Sequence, residues 1–179
     1  MGFGIWDFYN QPVSVGEHKA HAPVCVPCFV LTVSETRTPD TDTSGRAIRA
    51  LLEGAGHEVT GFALVKDDPD QVTAIVRKQL AEPLPRVIIT TGGTGVTSRD
   101  GTFEAVDRLL EKRLTGFGEL FRALSFAEIG SAAFLSRAIA GTVGSKAIFV
   151  LPGSESAVRL AMTRLIVPEL GHVAQQLAK

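Results

Sequence analysis

From Pro23 onward the chain alternates short apolar runs with stretches whose apolar residues recur at helical spacing. Residues 24–33 form a continuous apolar run, the pattern of a strand covered on both faces of a sheet. Ile48, Leu51, Leu52 and Ala55 then fall at i, i+3, i+4 and i+7, with Gly54 and Gly56 as stop signals. A second strand is predicted over residues 58–65, running into Asp67-Asp68-Pro69. There Asp68 suits a helix N-cap and Pro69 the first helical position, and Val72, Ile75, Val76 and Leu80 supply the buried stripe. A third strand over 87–91 leads into Gly92-Gly93-Thr94-Gly95, with a helix expected over 102–111. Gly116-Phe117-Gly118 reads as a break before a helix carrying Leu120, Phe121, Leu124 and Phe126. Residues 137–143 read as a short edge strand, and 147–151 as a buried strand stopped by Pro152-Gly153. Ala157, Leu160, Ala161 and Leu165 mark another helix, and a last one follows Pro168. Strands alternating with helices predict an α/β fold, a mostly parallel sheet covered on both sides.

Composition narrows the function. The 179 residues carry 18 Lys+Arg against 19 Asp+Glu, a formal net charge of −1, which removes the electrostatic case for nucleic-acid binding. The apolar run at 24–33 is about half of the ~20 residues a membrane helix needs, so no membrane partner is expected. Residues 1–22 lack the basic leader and apolar core of an export signal, and two cysteines do not make a secreted disulfide scaffold. A reducing cytoplasm is the simplest compartment. Within residues 1–22, Trp6, Phe8 and Tyr9 among Gly2, Gly4, Asn10 and Pro12 read as an irregular arm. Such an arm either packs on a neighbouring subunit or is disordered. Residues 23–179 form the single domain.

In open parallel sheets, ligands bind beyond the carboxyl ends of the strands. Four segments fall there (34–42, 66–68, 92–100 and 152–154), all rich in Gly, Ser, Thr and Asp. The strongest local signal is the run from Thr90 to Asp100. Three glycines in four residues let backbone N–H groups approach an anion, and the following helix N-terminus favours phosphate. The spacing is neither Walker A nor GxGxxG, and a plain strand-to-helix turn with Asp100 as N-cap reads the same residues. Asp67, beside Asp68 and Asp70, is equally one more acid at a helix start. Taken together, Asp67 and Asp100 converging on an anion-binding loop would make an open Mg²⁺ site for phosphoryl or nucleotidyl transfer.

These residues resemble the MoaB/MogA family of molybdenum-cofactor biosynthesis. The resemblance spans residues 23–177. It is carried by Leu31-Thr32-Val33-Ser34 with Asp42-Thr43-Ser44-Gly45, by Val65-Lys66-Asp67-Asp68, and by the Thr90–Asp100 run with Thr102 and Glu104. Gly116-Phe117-Gly118-Glu119, Leu135-Ser136-Arg137-Ala138 and Leu151-Pro152-Gly153-Ser154 complete it. The resemblance implies a three-layer α/β/α sandwich that assembles as a homotrimer or homohexamer. It implies Mg-ATP-dependent adenylylation of molybdopterin to adenylyl-molybdopterin with release of pyrophosphate, so Mg²⁺, ATP and molybdopterin are the expected ligands. By the same resemblance, Asp67 and Asp100 are the catalytic acids and Mg²⁺ ligands, and Gly92, Gly93, Thr94 and Gly95 hold nucleotide or pterin phosphates. Ser34, Asp42 and Gly45 form one wall of the pterin-nucleotide pocket; Ser136, Pro152, Gly153 and Ser154 form the other. Glu119 matches a polar position near the site. The chain departs from the family pattern at Lys66 and Asp68, where Pro and Glu are frequent, and at Gly101, Phe103 and Thr115. A non-catalytic molybdopterin-binding or scaffold protein of the same fold is the alternative.

Cys25 and Cys28, with His18 and His21, mimic a zinc or redox set. In an extended strand, however, i and i+3 side chains point to opposite faces, which favours two small buried thiols. Twelve arginines against six lysines are mostly spread along helices. Arg99 and Arg137 lie beside the motifs and are candidates for bidentate phosphate contact.

Overall fold

A computed structural model describes residues 23–179; the expected arm at 1–22 lies outside the described residues. Six strands, β1 (Pro27–Val33), β2 (Glu58–Val65), β3 (Val87–Thr91), β4 (Lys112–Arg113), β5 (Ile139–Val143) and β6 (Lys146–Leu151), form one sheet in the order β2-β1-β3-β6-β5-β4. Strands β2, β1, β3 and β6 are parallel, and β5 runs antiparallel to both β6 and β4. The helices are α1 (Thr43–Gly54), α2 (Pro69–Ala81), α3 (Thr102–Asp107), α4 (Thr115–Ile129), α5 (Glu155–Ala161) and α6 (Val167–Gln176).

The two-residue period of a strand sorts its side chains between two cores. Cys28 and Val30 of β1, Val87 and Ile89 of β3, and Phe149 and Leu151 of β6 face Ile48 and Leu52 of α1, Phe121 of α4, Val158 of α5 and Leu170 of α6. Leu31, Ile88, Ile148 and Val150 face the opposite way, onto Val72 and Val76 of α2 and Val106 of α3. The central strands are therefore apolar on both faces, and the fold is a three-layer α/β/α sandwich. Asp68 caps α2 as expected, accepting from the backbone N–H of Asp70 at 2.9 Å and of Gln71 at 3.3 Å.

Several boundaries differ from the sequence reading. Strand β1 begins only at Pro27, where pairing with β2 starts, and pairs with β3 from Cys28, so Val24 and Cys25 are exposed and only Cys28 is a buried thiol. Burial pushes that thiol up to about 12. Gly116-Phe117-Gly118 does not interrupt the chain but forms the first turn of α4. Gly118 lies so close to β5 that a Cβ there would stand 2.8 Å from the Ala138 carbonyl oxygen. Strand β5 is not an edge; the two residues of β4 lie outside it. The helix expected over 102–111 ends as α3 at Asp107, because the chain turns to feed β4. The last two helices join through a π-turn at Met162–Ile166, closed by Val167 N–H on Met162 O. This wide turn lies just before Pro168, which has no N–H to continue a regular ladder.

Candidate functional site

The chain passes from β1 to β2 on one flank, then returns to place β3 on the other, so strand order reverses between β1 and β3. In a parallel sheet the carboxyl ends at this switch point diverge and leave a crevice. A cleft of about 700 Å³ opens there. Ser34, Asp67, Gly92, Gly93, Thr94, Gly95, Asp100, Ser136, Pro152, Gly153 and Ser154 line it; Asp42 and Gly45 do not.

The floor is the loop after β3. Gly92 N–H donates to Leu151 O at 3.1 Å, continuing the β3–β6 ladder one step past the strands. Gly92 has φ +98, and a Cβ on it would stand 2.0 Å from the Val33 carbonyl oxygen, so only glycine lets the loop cross β1 this closely. At Gly93 (φ +63) a Cβ would stand 2.7 Å from both Asp67 carboxylate oxygens; at Gly95 it would stand 2.6 Å from Asp100 Oδ2. The two acids therefore press on the same loop, two residues apart.

Neither acid caps a helix. Asp100 Oδ2 accepts from Thr97 N–H at 2.9 Å and Thr97 Oγ1 at 2.6 Å, closing the loop on itself, while the N-cap of α3 is Gly101 with no side-chain bond. Asp67 Oδ1 accepts from Gly101 N–H at 3.3 Å and Thr102 Oγ1 at 3.4 Å. Their electrostatics differ in sign. Desolvation, chiefly, raises the Asp67 carboxyl above the usual carboxylate range, with the Asp100 and Glu35 charges adding to it. Hydrogen bonding from Thr97, chiefly, lowers that of Asp100, helped by Gly95 N–H and the nearby Arg137 charge.

The wall after β1 is organised by Asp42 from behind. Asp42 is buried; it caps α1 by accepting from Gly45 N–H at 2.9 Å, takes Thr32 Oγ1 at 2.9 Å, and pairs with Arg37 at 3.5 Å. Gly45 is required because a Cβ there would stand 2.1 Å from Asp42 Oδ2. Arg37 lines the cleft and donates to Gly153 O at 3.0 Å, so Asp42 reaches the cleft through Arg37. Ser44 Oγ donates to the same carbonyl at 2.8 Å. Ser34 Oγ accepts Arg37 N–H at 3.2 Å and holds the turn. On the opposite wall Ser154 caps α5 through Ala157 N–H at 3.3 Å. The Ser136 hydroxyl is buried and has no partner among the described residues, a position a polar ligand group would satisfy.

Glu35, Arg37 and Ser125 also line the cleft and carry no motif that sequence reading could isolate, while Phe121 and Leu135 line it as apolar wall. Glu35 and Arg37 alternate along the chain just past β1, the one usable signal. Of the two arginines singled out, Arg99 lines the cleft rim, whereas Arg137 is committed to Glu104 and to the Thr94 carbonyl at 3.0 Å. Glu119 lies in a separate pocket of about 220 Å³ with Arg113 and Arg122. Among the described residues no group of three His, Cys, Asp or Glu side chains is placed to hold a metal. His18 and His21 lie outside those residues. Asp67 and Asp100 are hard oxygen donors and Asp67 Oδ2 takes no hydrogen bond among the described residues, a donor set that fits Mg²⁺ sharing its shell with water and phosphate.

A family described as a probable molybdopterin binding domain matches residues 29–172. The chain is similar to molybdenum cofactor biosynthesis protein B of Bacillus cereus, 52% identical over 166 residues, covering 92% of this chain and 98% of the relative. A solved structure of a molybdenum cofactor biosynthesis protein B superposes with TM-score 0.85 at 51% identity, covering 88% of this chain and 99% of that one. The tungsten cofactor synthesizing protein MoaB of Pyrococcus furiosus superposes with TM-score 0.78 at 34% identity, covering 88% of this chain and 100% of that one.

Proposed function

Because this chain belongs to the MoaB/MogA family of molybdenum-cofactor biosynthesis proteins, we propose that it is a molybdopterin adenylyltransferase, transferring AMP from Mg-ATP to the molybdopterin phosphate with release of pyrophosphate. The observation that carries this reading is the pressing of Asp67 and Asp100 onto Gly93 and Gly95 of one anion-binding loop at the switch-point cleft. The backbone of Gly92–Gly95 cradles phosphate oxygens. The unpartnered Ser136 hydroxyl and the carbonyl-anchored Arg37 orient the ligand across the cleft. Asp67 and Asp100 would hold Mg²⁺, which when bound supplies charge neutralisation at the transferring phosphate. Asp100, kept ionised by Thr97 and Gly95, is a fixed negative charge; Asp67, raised by desolvation, gains most from a cation beside it.

A second reading, molybdopterin binding without turnover, draws on the engagement of Asp100 Oδ2 by both Thr97 donors, which makes that carboxylate a loop staple. Anaerobic transfer of labelled AMP from ATP to molybdopterin, wild type against Asp100→Ala, separates the two. Label on the pterin with the wild type and none with the variant is the expected result. A folded wild type that binds molybdopterin but transfers nothing establishes the second.

The protein works in the cytoplasm as a homotrimer or homohexamer on this reading. No helix among the described residues is long and apolar enough to cross a membrane. Support for assembly comes from an apolar face at the end of α4 and the following 3₁₀ turn (Gly130–Leu135), where Phe126, Ile129 and Phe134 are 64%, 59% and 76% exposed.

A further inference from the structure

Asp67 stands in a three-residue connection between β2 and Pro69, and its neighbour Asp68 is turned forward into the cap of α2. The last rung between β1 and β2 is Ser34 N–H on Val65 O at 2.9 Å; beyond it the two strand ends have no further ladder. Two side chains bridge the gap instead. Glu35 Oε1 accepts the backbone N–H of Asp67 at 2.9 Å. In return the Lys66 ammonium donates to the Glu35 carbonyl oxygen. Each loop thus sends one side chain to the other's backbone, with the two contacts on adjacent residues of the β2 loop.

This matters because the Asp67 carboxylate has little room. A Cβ on Gly93 would already stand 2.7 Å from it, and its own acceptor bonds to Gly101 and Thr102, at 3.3 and 3.4 Å, are long. Those bonds alone fix it loosely, while a displacement of about 1 Å at a reacting site costs on the order of 100-fold. Holding a second carboxylate near Asp67 also adds like-charge repulsion, so the glutamate contact works against electrostatics and what it supplies is geometry.

We propose that Glu35 and Lys66 are positioning residues, forming a reciprocal clasp that sets the Asp67 carboxylate against the Gly93 loop. This rests on Asp67 being a functional acid of the cleft, as proposed above.

The test uses the full chain and two readouts that need no turnover: hydrogen exchange of the Asp67 amide by NMR, and Mn²⁺ affinity in the presence of α,β-methylene-ATP. Glu35→Ala is expected to lose protection at the Asp67 amide and to weaken Mn²⁺ about tenfold, within the usual range for residues that orient a ligating group. Glu35→Gln, whose amide oxygen still accepts from Asp67 N–H, should restore both. Lys66→Met should give a smaller loss, and the Glu35→Ala/Lys66→Met pair should be no worse than Glu35→Ala alone, as for one coupled device. If Glu35→Ala does not fold, Glu35→Gln and Lys66→Met carry the comparison.

Mn²⁺ affinity unchanged while amide protection is lost overturns the proposal. So does Glu35→Gln as weak as Glu35→Ala, since Glu35 would then act through its charge. A wild type that binds no Mn²⁺ also overturns it. A wild type that shows the Glu35 dependence but transfers no AMP leaves the clasp standing and removes the adenylyltransferase reading instead.

Discussion

Asp67 and Asp100 touch glycines two positions apart, yet their carboxyls are pushed in opposite directions, upward by desolvation at Asp67 and downward by the Thr97 donors at Asp100. Linkage turns this into stability of opposite sign. The Asp67 carboxyl, raised in the fold, favours the native state fully below its unfolded value near 3.8 and loses that contribution as pH rises through the folded value. Asp67→Asn, which keeps an acceptor for Gly101 and Thr102, is therefore expected to melt above wild type at pH 7, with the gain vanishing at acid pH. The lowered Asp100 carboxyl stabilises above 3.8 and loses that contribution as pH falls through its folded value. Asp100→Asn should melt below wild type at pH 7, with the deficit shrinking in acid. Melting curves of both variants at pH 3 and pH 7 check this, and shifts of the same sign would refute it. Asp100 and the glycine loop were legible in the sequence because their chemistry lies in one contiguous run, and Asp67 because it ends a readable strand at the same sheet edge. Glu35 and Arg37 were not, because their roles depend on Asp67 and Gly153, each supplied by a different strand end.

At the scale of elements, α1 is the part of the site most dependent on a single buried group. Asp42 caps the helix, satisfies the buried hydroxyl of Thr32 near the carboxyl end of β1 and anchors Arg37. Asp42→Ala removes a cap worth about 1 kcal/mol and leaves the buried Thr32 hydroxyl without its acceptor, a further loss of about 1–3 kcal/mol. A drop of about 2–4 kcal/mol in urea unfolding is expected, with most recovered in Asp42→Asn; a variant as stable as wild type would contradict the cap. Asp42 and Gly45 were expected at the cleft surface, but they act one layer behind it. The strands β2 and β3 and the start of α2 were readable to the residue, since periodicity, Asp68 and Pro69 all agree. Strand β4 was not, because two residues carry no period. The first turn of α4 was misread because Gly118 there serves close packing on Ala138, not a chain break.

At the scale of the whole molecule, the layers follow from sequence, since central strands apolar on both faces require cover on both sides. Strand order does not, because it is set by which crossover packs on which face. The same holds for assembly. Phe126 occurs in a helical period with Leu120, Phe121 and Leu124 that reads as buried, yet it is exposed, as are Ile129, Phe134 at 76% and Leu135 at 48%. Ile129 and Leu135 belong at once to this face and to the cleft wall, whereas Phe134 lines only the outer groove with Phe126 and Arg122. Phe134→Asp therefore disturbs the apolar face without touching the cleft. On the trimer or hexamer reading, sedimentation velocity should give three or six times the 19.0 kDa chain mass for wild type. The variant should sediment at or near the single-chain mass, because a charge placed in a buried apolar contact costs several kcal/mol when unpaired. Its own melting transition should stay cooperative, since Phe134 contributes nothing to the core that a charge would disrupt. A wild type that sediments as a single chain at micromolar concentration would overturn the assembly, and a variant that keeps the wild-type mass would move the interface to another face.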